Sequence, residues 1–278
     1  MTTATLEPAV PSARQAATTG QARLTFGRIL DAEWTKIRTV RSTVWTLVSL
    51  FVASVGLTAL ICLAAAGDLA SGAGGDEPVG AFATWGLMFG QIAALVLGIL
   101  VATSEYSSGM IRTTLAAAPR RWSVLVAKTT VLAGLLLVLG TITSAAAFLA
   151  GNFFLGREGI GFSVTDPDVL RTMIGGGLYL AVLGVFGLAL GLLMRHTAGA
   201  VTVGIALIFI VGNLVGLVPG AAGEWLTKLM PGNAGSTIAT VESFNPDLLG
   251  PWTGLGVFVG ETALLLLLAG WLFRKRDA

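Results

Sequence analysis

Charged residues are scarce in this sequence. Asp, Glu, Lys and Arg make up 12% of its 278 residues, whereas hydrophobic residues make up 54%; soluble domains carry about 25% charged residues. Mean hydropathy is +0.83. The formal net charge is only +2, so nothing indicates a surface that binds nucleic acid. This composition excludes an ordinary soluble domain and predicts an integral membrane protein.

Residues that carry enzyme chemistry are also missing. The single cysteine, Cys62, excludes an internal disulfide and a four-cysteine metal site. The sequence has no G-x-x-x-x-G-K-S/T phosphate loop, no LSGGQ signature, no His and Glu pattern for zinc and no serine nucleophile motif. We therefore predict no catalytic residue, no metal site, and no cofactor bound by this chain.

Hydropathy predicts an all-α membrane protein with six spanning helices. Each of six apolar runs approaches the roughly 20 residues that a helix needs to cross a bilayer core. The N-terminal residues 1–22 are rich in Ala, Thr and Pro and are predicted to be a disordered cytoplasmic tail, and residues 274–278 form a basic tail. The predicted spans of the transmembrane domain, 44–273, are 44–66, 81–103, 123–150, 171–193, 199–219 and 253–273.

Lys and Arg are distributed unevenly over the connections between these spans. Fourteen of the 17 fall on one side, in the N-terminal arm, the second and fourth connections and the C-terminal tail. The other side has only Arg157, Arg171 and Lys228. By the positive-inside rule, both termini and the second connection are predicted to be cytoplasmic.

An amphipathic helix is predicted ahead of the first span, over residues 23–43. Apolar residues from Phe26 to Val40 fall on one face and basic and hydroxyl residues on the other, which is typical of a helix that lies in the interface and contacts lipid headgroups. Glu33 interrupts the apolar face. One interpretation is an i, i+3 ion pair with Lys36; the other is a contact with a cytosolic partner.

The second connection reads SEYSSGMIRTTLAAAPRRW. Gly109 can release the preceding span from its axis, and residues 110–118 are predicted to form a short helix that Pro119 ends. Arg120 and Arg121 then anchor the next span at the interface. The alternative is a basic loop that only fixes topology, which explains the arginines but not the inserted helical turn.

Three polar residues fall inside predicted spans at comparable depth, namely Gln91, Asn213 and Glu261. An ionised carboxylate at the depth of Glu261 would cost several kcal/mol unless it is paired or faces a polar cavity. The three residues could form a polar cluster inside the bundle. The alternative is a protonated Glu261 that bonds a neighbouring helix as structural glue.

Small residues recur at helical spacing in the fourth and fifth spans. They predict close helix contacts, either within this chain or between two chains. The residues are Gly187, Gly191, Gly204, Gly212 and Gly216.

The longest connection, residues 220–251, precedes the sixth span. It contains two short apolar stretches, EWLTKLM and STIATV, separated by PGNAG. This pattern predicts one or two short helices that lie on the outer leaflet or dip into it. Such a segment could cap a substrate exit or serve only in packing.

Three features in this order carry a resemblance to a known family. AEWTKIRTVRST precedes the first span, EYSSGMIRTTLAAAPRR follows the second, and a long semi-apolar segment precedes the sixth. From about residue 23 to its end, the chain resembles the membrane permeases of ATP-binding-cassette exporters of the ABC-2 class, in the form common among actinobacteria. The resemblance implies a bacterial plasma-membrane permease that pairs with a second permease chain, as a homodimer or heterodimer. It also implies two separate ATPase subunits, which hold the ATP and Mg²⁺.

In such exporters the N-terminal helix and the short helix between spans two and three rest on the ATPase and transmit its closure. The resemblance therefore implies a coupling helix at residues 110–118 and a connecting helix at 24–40. Met110 departs from the pattern, since relatives more often have Thr after the glycine. The coupling residues implied are Glu33, Lys36, Glu105, Gly109, Arg112, Thr113, Pro119, Arg120 and Arg121.

An apolar interior with few fixed charges favours an amphipathic or lipid-like cargo, such as a drug, antibiotic, peptide or lipid. Two other classes of function stay open. One is an ion-coupled secondary transporter with Glu261 as a proton site, although no inverted repeat supports it. The other is a membrane immunity or scaffold protein that does not transport.

Overall fold

A computed structural model describes residues 25–73, 75–110 and 121–275 of the chain. Within these ranges the fold is all-α and contains no strand. The predicted N-terminal tail, residues 111–118 of the predicted coupling helix and residues 276–278 lie outside the described residues. The helices are α1 (Phe26–Thr39), α2 (Arg41–Ser71), α3 (Val79–Phe82), α4 (Leu87–Ser107), α5 (Arg121–Arg157), α6 (Pro167–Met194), α7 (Thr197–Val215), α8 (Ala221–Leu229), α9 (Pro231–Ser236) and α10 (Pro251–Lys275).

Six helices among the described residues, α2, α4, α5, α6, α7 and α10, are long and apolar enough to cross a membrane. This number confirms the prediction from hydropathy. The second span begins at Leu87 rather than at residue 81, because α3 is a separate short helix and a turn follows it. Gly86 in that turn donates its backbone N–H to Thr58 Oγ1 on α2, at 3.0 Å.

The helix α6 lies at the centre of the bundle. In its most apolar stretch 78% of residues are buried inside the chain, against 22% for α2 and for α7. It packs against α4, α5 and α10. A Cβ atom at Gly187 would overlap the carbonyl oxygen of Leu95 on α4, and one at Gly191 would crowd Ala102. Glycine thus lets the two backbones touch, as the small-residue pattern predicts.

The glycines of α7 also contact other segments of the same chain. Gly204 lies against Leu95, Gly212 against Asn233 of α9, and Gly216 more loosely against Thr227 of α8. Residues Ala206–Val211 of α7 are π-helical. The predicted small-residue surface of this span therefore forms contacts within the chain.

The N-terminal amphipathic segment is interrupted before the first span. The helix α1 ends at Thr39 and α2 begins at Arg41, and between them Val40 is extended, with φ −81° and ψ 116°. The buried residues of α1 are Ile29, Glu33 and Ile37. Periodicity alone predicts one continuous helix over residues 23–43, because a single extended residue leaves the apolar pattern almost unchanged.

The segment before α10 enters the bundle. The PGNAG stretch, expected from the sequence to be a separator, is itself helical, because Pro231 occupies the first turn of α9 and small residues allow close packing. A Cβ atom at Gly232 would overlap the carbonyl oxygen of Ile208 on α7. The helix α9 continues into a 3₁₀ turn, Thr237–Ala239, which is buried.

Arg171 of α6 binds the backbone at the end of this 3₁₀ turn and just after it. The guanidinium of Arg171 donates to the carbonyl oxygens of Thr237 (3.4 Å), Thr240 (3.3 Å) and Val241 (3.4 Å). The carboxylate of Asp168 accepts a further bond from it, at 3.2 Å. The 231–241 segment is thereby attached to the central helix.

Candidate functional site

Four charged side chains meet between α1, the last turn of α4 and the start of α5. Lys36 Nζ lies 2.7 Å from Glu33 Oε1 and 2.7 Å from Glu105 Oε1. Lys128 Nζ lies 2.7 Å from Glu33 Oε2 and 2.9 Å from Glu105 Oε1. Each carboxylate thus contacts both ammonium groups, and the four side chains form a closed ring of alternating charge, which we call the charge ring.

The charge ring is mostly buried. Glu33 is 2% exposed, Glu105 4% and Lys128 5%, whereas the side chain of Lys36 is 30% exposed. Lys128 also lies 3.4 Å from the carbonyl oxygen of Val101. Two positive and two negative charges compensate one another, which is the condition under which buried ions are tolerated. The ring therefore depends on all four members.

Apolar packing brings the ring together. Ile29 and Glu33 lie one turn apart on the buried face of α1, and Ile29 packs with Val124 and Ala127 of α5. Lys128 follows directly after Ala127 in the sequence. The same contact that buries the apolar residues therefore places the Lys128 ammonium next to the Glu33 carboxylate.

The pKa of Lys36 reflects these neighbours. Burial alone would lower the pKa, but the hydrogen bonds to Glu105 and Glu33 and their negative charges outweigh burial and raise it. Lys36 therefore stays protonated at neutral pH, and its charge is available to both carboxylates.

The charge ring joins the two flanks of the second connection. Glu105 stands two residues before the end of α4, and α5 begins at Arg121. Gly109 has φ +70°, a conformation that favours glycine, and so it does turn the chain away from the axis of α4. Both ends of the connection are thus bound through the ring to α1.

The other coupling residues predicted from the sequence are not placed by the structure. Those outside the described residues are Arg112, Thr113, Pro119 and Arg120. Arg121 is described only as the first residue of α5. Their contact with an ATPase stays a prediction.

The turn between α6 and α7 contacts the same end of α4. Arg195, which has φ +54°, places its guanidinium 5.1 Å from the ring centroid of Tyr106. Thr197 Oγ1 donates to Thr103 Oγ1 at 2.8 Å. The last turns of α4 therefore contact α1, α5 and the α6–α7 turn.

Three members of the ring, Glu33, Lys36 and Glu105, are among the coupling residues that the family resemblance implies, whereas Lys128 is not. The local pair between Glu33 and Lys36 is confirmed, and both carboxylate oxygens of Glu33 are occupied by lysines. Lys128 is one of the 14 basic residues on one side of the predicted spans, and the sequence predicts no contact for it. A lysine inside the apolar run VLVAKTTVL was the available signal, because an ionisable residue there needs a partner.

The polar residues within the spans are only partly brought together. Gln91 and Asn213 line one cavity of about 240 Å³, and Tyr179 donates its hydroxyl to Gln91 Oε1. Glu261 does not line this cavity. It is half-buried on α10, and its Oε2 atom is buried without a partner among the described residues.

No group of three or more His, Cys, Asp or Glu side chains suited to a metal ion occurs in the part of the chain that the structure describes. In the charge ring two carboxylates lie close to the same lysines, and each carboxylate is bound by both lysines. The four ion pairs connect α1 to the end of α4 and to α5.

Comparison with known protein families gives one informative match. A family model described as ABC-2 family transporter protein matches residues 29–213. The match covers about two thirds of the chain, including all four members of the charge ring, the first four spans and nearly all of the fifth. A comparison with curated proteins finds no match.

Proposed function

The chain belongs to the ABC-2 family of transporter proteins, and from that premise we propose that it is the permease subunit of an ATP-binding-cassette exporter. It forms the translocation path for an amphipathic or lipid-like molecule such as a drug, antibiotic, peptide or lipid. A separate ATPase subunit, present in two copies and binding ATP and Mg²⁺, drives the transport.

The charge ring is the observation that carries this proposal. A permease without its own ATPase must receive movement from another chain and pass it to its spans. Glu33 and Lys36 of α1 bind Glu105 at the end of α4 and Lys128 in α5. A push on α1 or on the second connection therefore reaches two spans through charges that cannot separate cheaply inside an apolar bundle.

The proposed placement follows from the basic residues. The end of the bundle that carries the charge ring faces the cytoplasm of a bacterial cell, together with both termini, because 14 of the 17 Lys and Arg lie on that side. The sides of α2, α7 and α10 expose large apolar residues. These sides contact lipid and a second permease chain, the same or a related one.

The role of the ring is tested by Lys36→Met, since Lys36 is its most exposed member. In vesicles that contain the permease and its ATPase, we expect this variant to lower substrate-stimulated ATP hydrolysis and export by at least about fivefold, because α1 loses its ion pair with Glu105 of α4 and the ring loses one of its two positive charges. The matched control is Arg38→Met on the same helix, where the side chain is exposed.

Copurification of the ATPase with both variants separates coupling from assembly. The proposal predicts that the ATPase copurifies equally with Lys36→Met and with Arg38→Met. Equal export by the two variants would show that the ring does not transmit movement.

The second connection is tested by Arg112→Ala. If residues 110–118 rest on the ATPase, this change lowers ATP turnover that depends on transport while expression stays normal. Unchanged turnover would remove this segment from the coupling path.

A second candidate function rests on Glu261. Its partly buried carboxylate, with one oxygen unpartnered among the described residues, is the kind of group that proton-coupled transporters use. Transport that persists without ATP, collapses when the proton gradient is dissipated and is lost in Glu261→Gln would favour this function over the ATP-driven one.

A further inference from the structure

The cavity that Gln91 and Asn213 line has an uncharged polar interior. It lies between the first turns of α4, the middle of α6, the second half of α7 and the 231–244 segment, and its volume is about 240 Å³. No Asp, Glu, Lys or Arg is among the described residues that line it. Its polar groups are amides and hydroxyls, so an ion would find no compensating charge there.

Two polar side chains in this wall are buried without using their full hydrogen-bonding capacity. Gln91 is 8% exposed, and Tyr179 occupies its Oε1 atom, while no described residue bonds its Nε2 donor. Thr84 is 3% exposed, and its hydroxyl has no partner among the described residues. Buried polar groups are normally satisfied, so the unpartnered Thr84 hydroxyl indicates a ligand or water that completes its bonding.

The remaining polar groups of the wall are mostly committed to the backbone. Asn213 donates to the carbonyl oxygen of Phe209 at 2.7 Å, and Asn233 donates to that of Thr227 at 3.0 Å. The amide oxygens of both asparagines are left as acceptors. The cavity thus offers donors from Gln91 and acceptors from the asparagines, which suits a group that both donates and accepts, such as a hydroxyl or an amide.

The mouth of the cavity is apolar and exposed. Trp85, Met88 and Phe244 line it and are 40%, 46% and 46% exposed. The rings of Trp85 and Phe244 lie 5.4 Å apart. A molecule whose polar group enters the cavity would therefore lay an apolar body over this rim.

We propose that this cavity binds the uncharged hydrogen-bonding end of a neutral amphiphile, whose apolar part lies across Trp85, Met88 and Phe244. The cavity is too small for a whole drug-sized molecule, which needs roughly 300 Å³ or more, but it accommodates a glycerol-like or amide headgroup. The inference that the bound amphiphile is cargo rests on the proposed export function. The inference that the cavity binds it does not depend on the ATPase.

The test uses the full chain in phosphatidylcholine nanodiscs and a monooleoylglycerol that carries a diazirine in its acyl chain. After photolysis, we expect label in the peptides that contain Trp85, Met88 and Phe244. Unlabelled monooleoylglycerol should displace this label, whereas anionic phosphatidylglycerol should not, because the cavity has no cation for a phosphate.

Two isosteric variants and one control locate the headgroup. Gln91→Leu and Thr84→Val should each reduce labelling of these peptides by about fivefold, the effect of one lost hydrogen bond. Thr143→Val removes a hydroxyl that is equally buried and unpartnered but does not line the cavity, and it should leave labelling unchanged. Gln91→Leu also removes the contact with Tyr179 and could unfold for that reason. Thr84→Val removes no hydrogen bond among the described residues, so it still tests the site in that case.

Three results would overturn the proposal. Label spread evenly over the exposed sides of α2 and α10 would mean that the probe only samples the lipid surface. Labelling unaffected by both variants would place the headgroup elsewhere, and displacement by phosphatidylglycerol would refute the uncharged class. Export assays with the ATPase report separately on the proposed function, since cavity labelling without ATP-driven export would retain the site and reject the exporter.

Discussion

The charge ring and the cavity next to Gln91 are both buried and polar, but their polar groups are paired in opposite ways. In the charge ring all four members are charged, and every carboxylate contacts both lysines. In the cavity next to Gln91 no lining residue is charged, and the buried hydroxyl of Thr84 has no partner among the described residues. A closed network holds helices together, whereas an open one keeps hydrogen-bonding capacity for a molecule that comes and goes.

The difference has an energetic consequence. Removing one member of a closed buried network strands a charge, which is expensive. Removing a polar group that has no partner costs little, because there was no bond to lose. Substitutions at the two regions should therefore differ strongly in their effect on stability, even where the residues are equally buried.

The largest effect is expected for Glu105→Gln. The variant leaves two lysines with one carboxylate, and Lys128 is nearly fully buried, so we expect a loss of about 3–5 kcal/mol in the free energy of unfolding. Denaturation by dodecyl sulfate in mixed micelles measures it. The double variant Glu105→Gln with Lys128→Met restores neutrality and should recover most of the loss; a double variant as unstable as the single one would show that charge balance is not the cause.

A smaller effect is expected on α6, which packs against α4, the helix that carries Glu105 of the charge ring and Gln91 of the cavity. Gly187→Ala places a Cβ atom against the carbonyl oxygen of Leu95, and the strain should cost about 1–3 kcal/mol. The control is Gly256→Ala on α10, where an added Cβ meets nothing within 4 Å. The same unfolding assay applies. Equal stability of the two variants would mean that α4 and α6 can move apart freely.

Arg171→Met should have a local effect near the cavity. The variant frees the carbonyl oxygens of Thr237, Thr240 and Val241, so we expect faster hydrogen exchange over residues 231–244 and no change over α1. Arg157→Met, an exposed arginine at the end of α5, is the control. Exchange that rises equally in α1 would show that the two regions are not independent.

The smallest effect is expected for Thr84→Val. Its hydroxyl has no partner among the described residues, so the free energy of unfolding should stay within about 0.5 kcal/mol of the parent or increase. Loss of more than about 1 kcal/mol in the dodecyl sulfate assay would mean that the hydroxyl is satisfied, for instance by water. Such a result would remove Thr84 from the binding argument.

The sequence predicts what depends on local pattern. Six spans follow from apolar runs, the pair of Glu33 and Lys36 follows from helical spacing, and the turn after α4 follows from Gly109. Contacts across the fold could not be read in this way. Lys128 lies 95 residues from Glu33, and only the packing of α1 on α5 brings them together.

The same limit applies to the cavity and to the 231–239 segment. Gln91 and Tyr179 are 88 residues apart, and nothing local marks them as partners. The sequence PGNAG looks like a loop because glycine and proline normally end helices. Here the absence of side chains lets the backbone of α9 approach Ile208 and Ala234 approach Gly254, a gain that only the tertiary structure reveals.

The single extended residue between α1 and α2, Val40, is a point at which α1 can rotate as a rigid arm. A helix of 14 residues is about 21 Å long, so a rotation of about 10° at Val40 would displace Phe26 by roughly 4 Å. Glu33 sits near the middle of this arm, about 10 Å from the pivot, and would move by about half as much. Its ion pairs with the lysines tolerate little stretching, so the arm and the ends of α4 and α5 must turn together or separate.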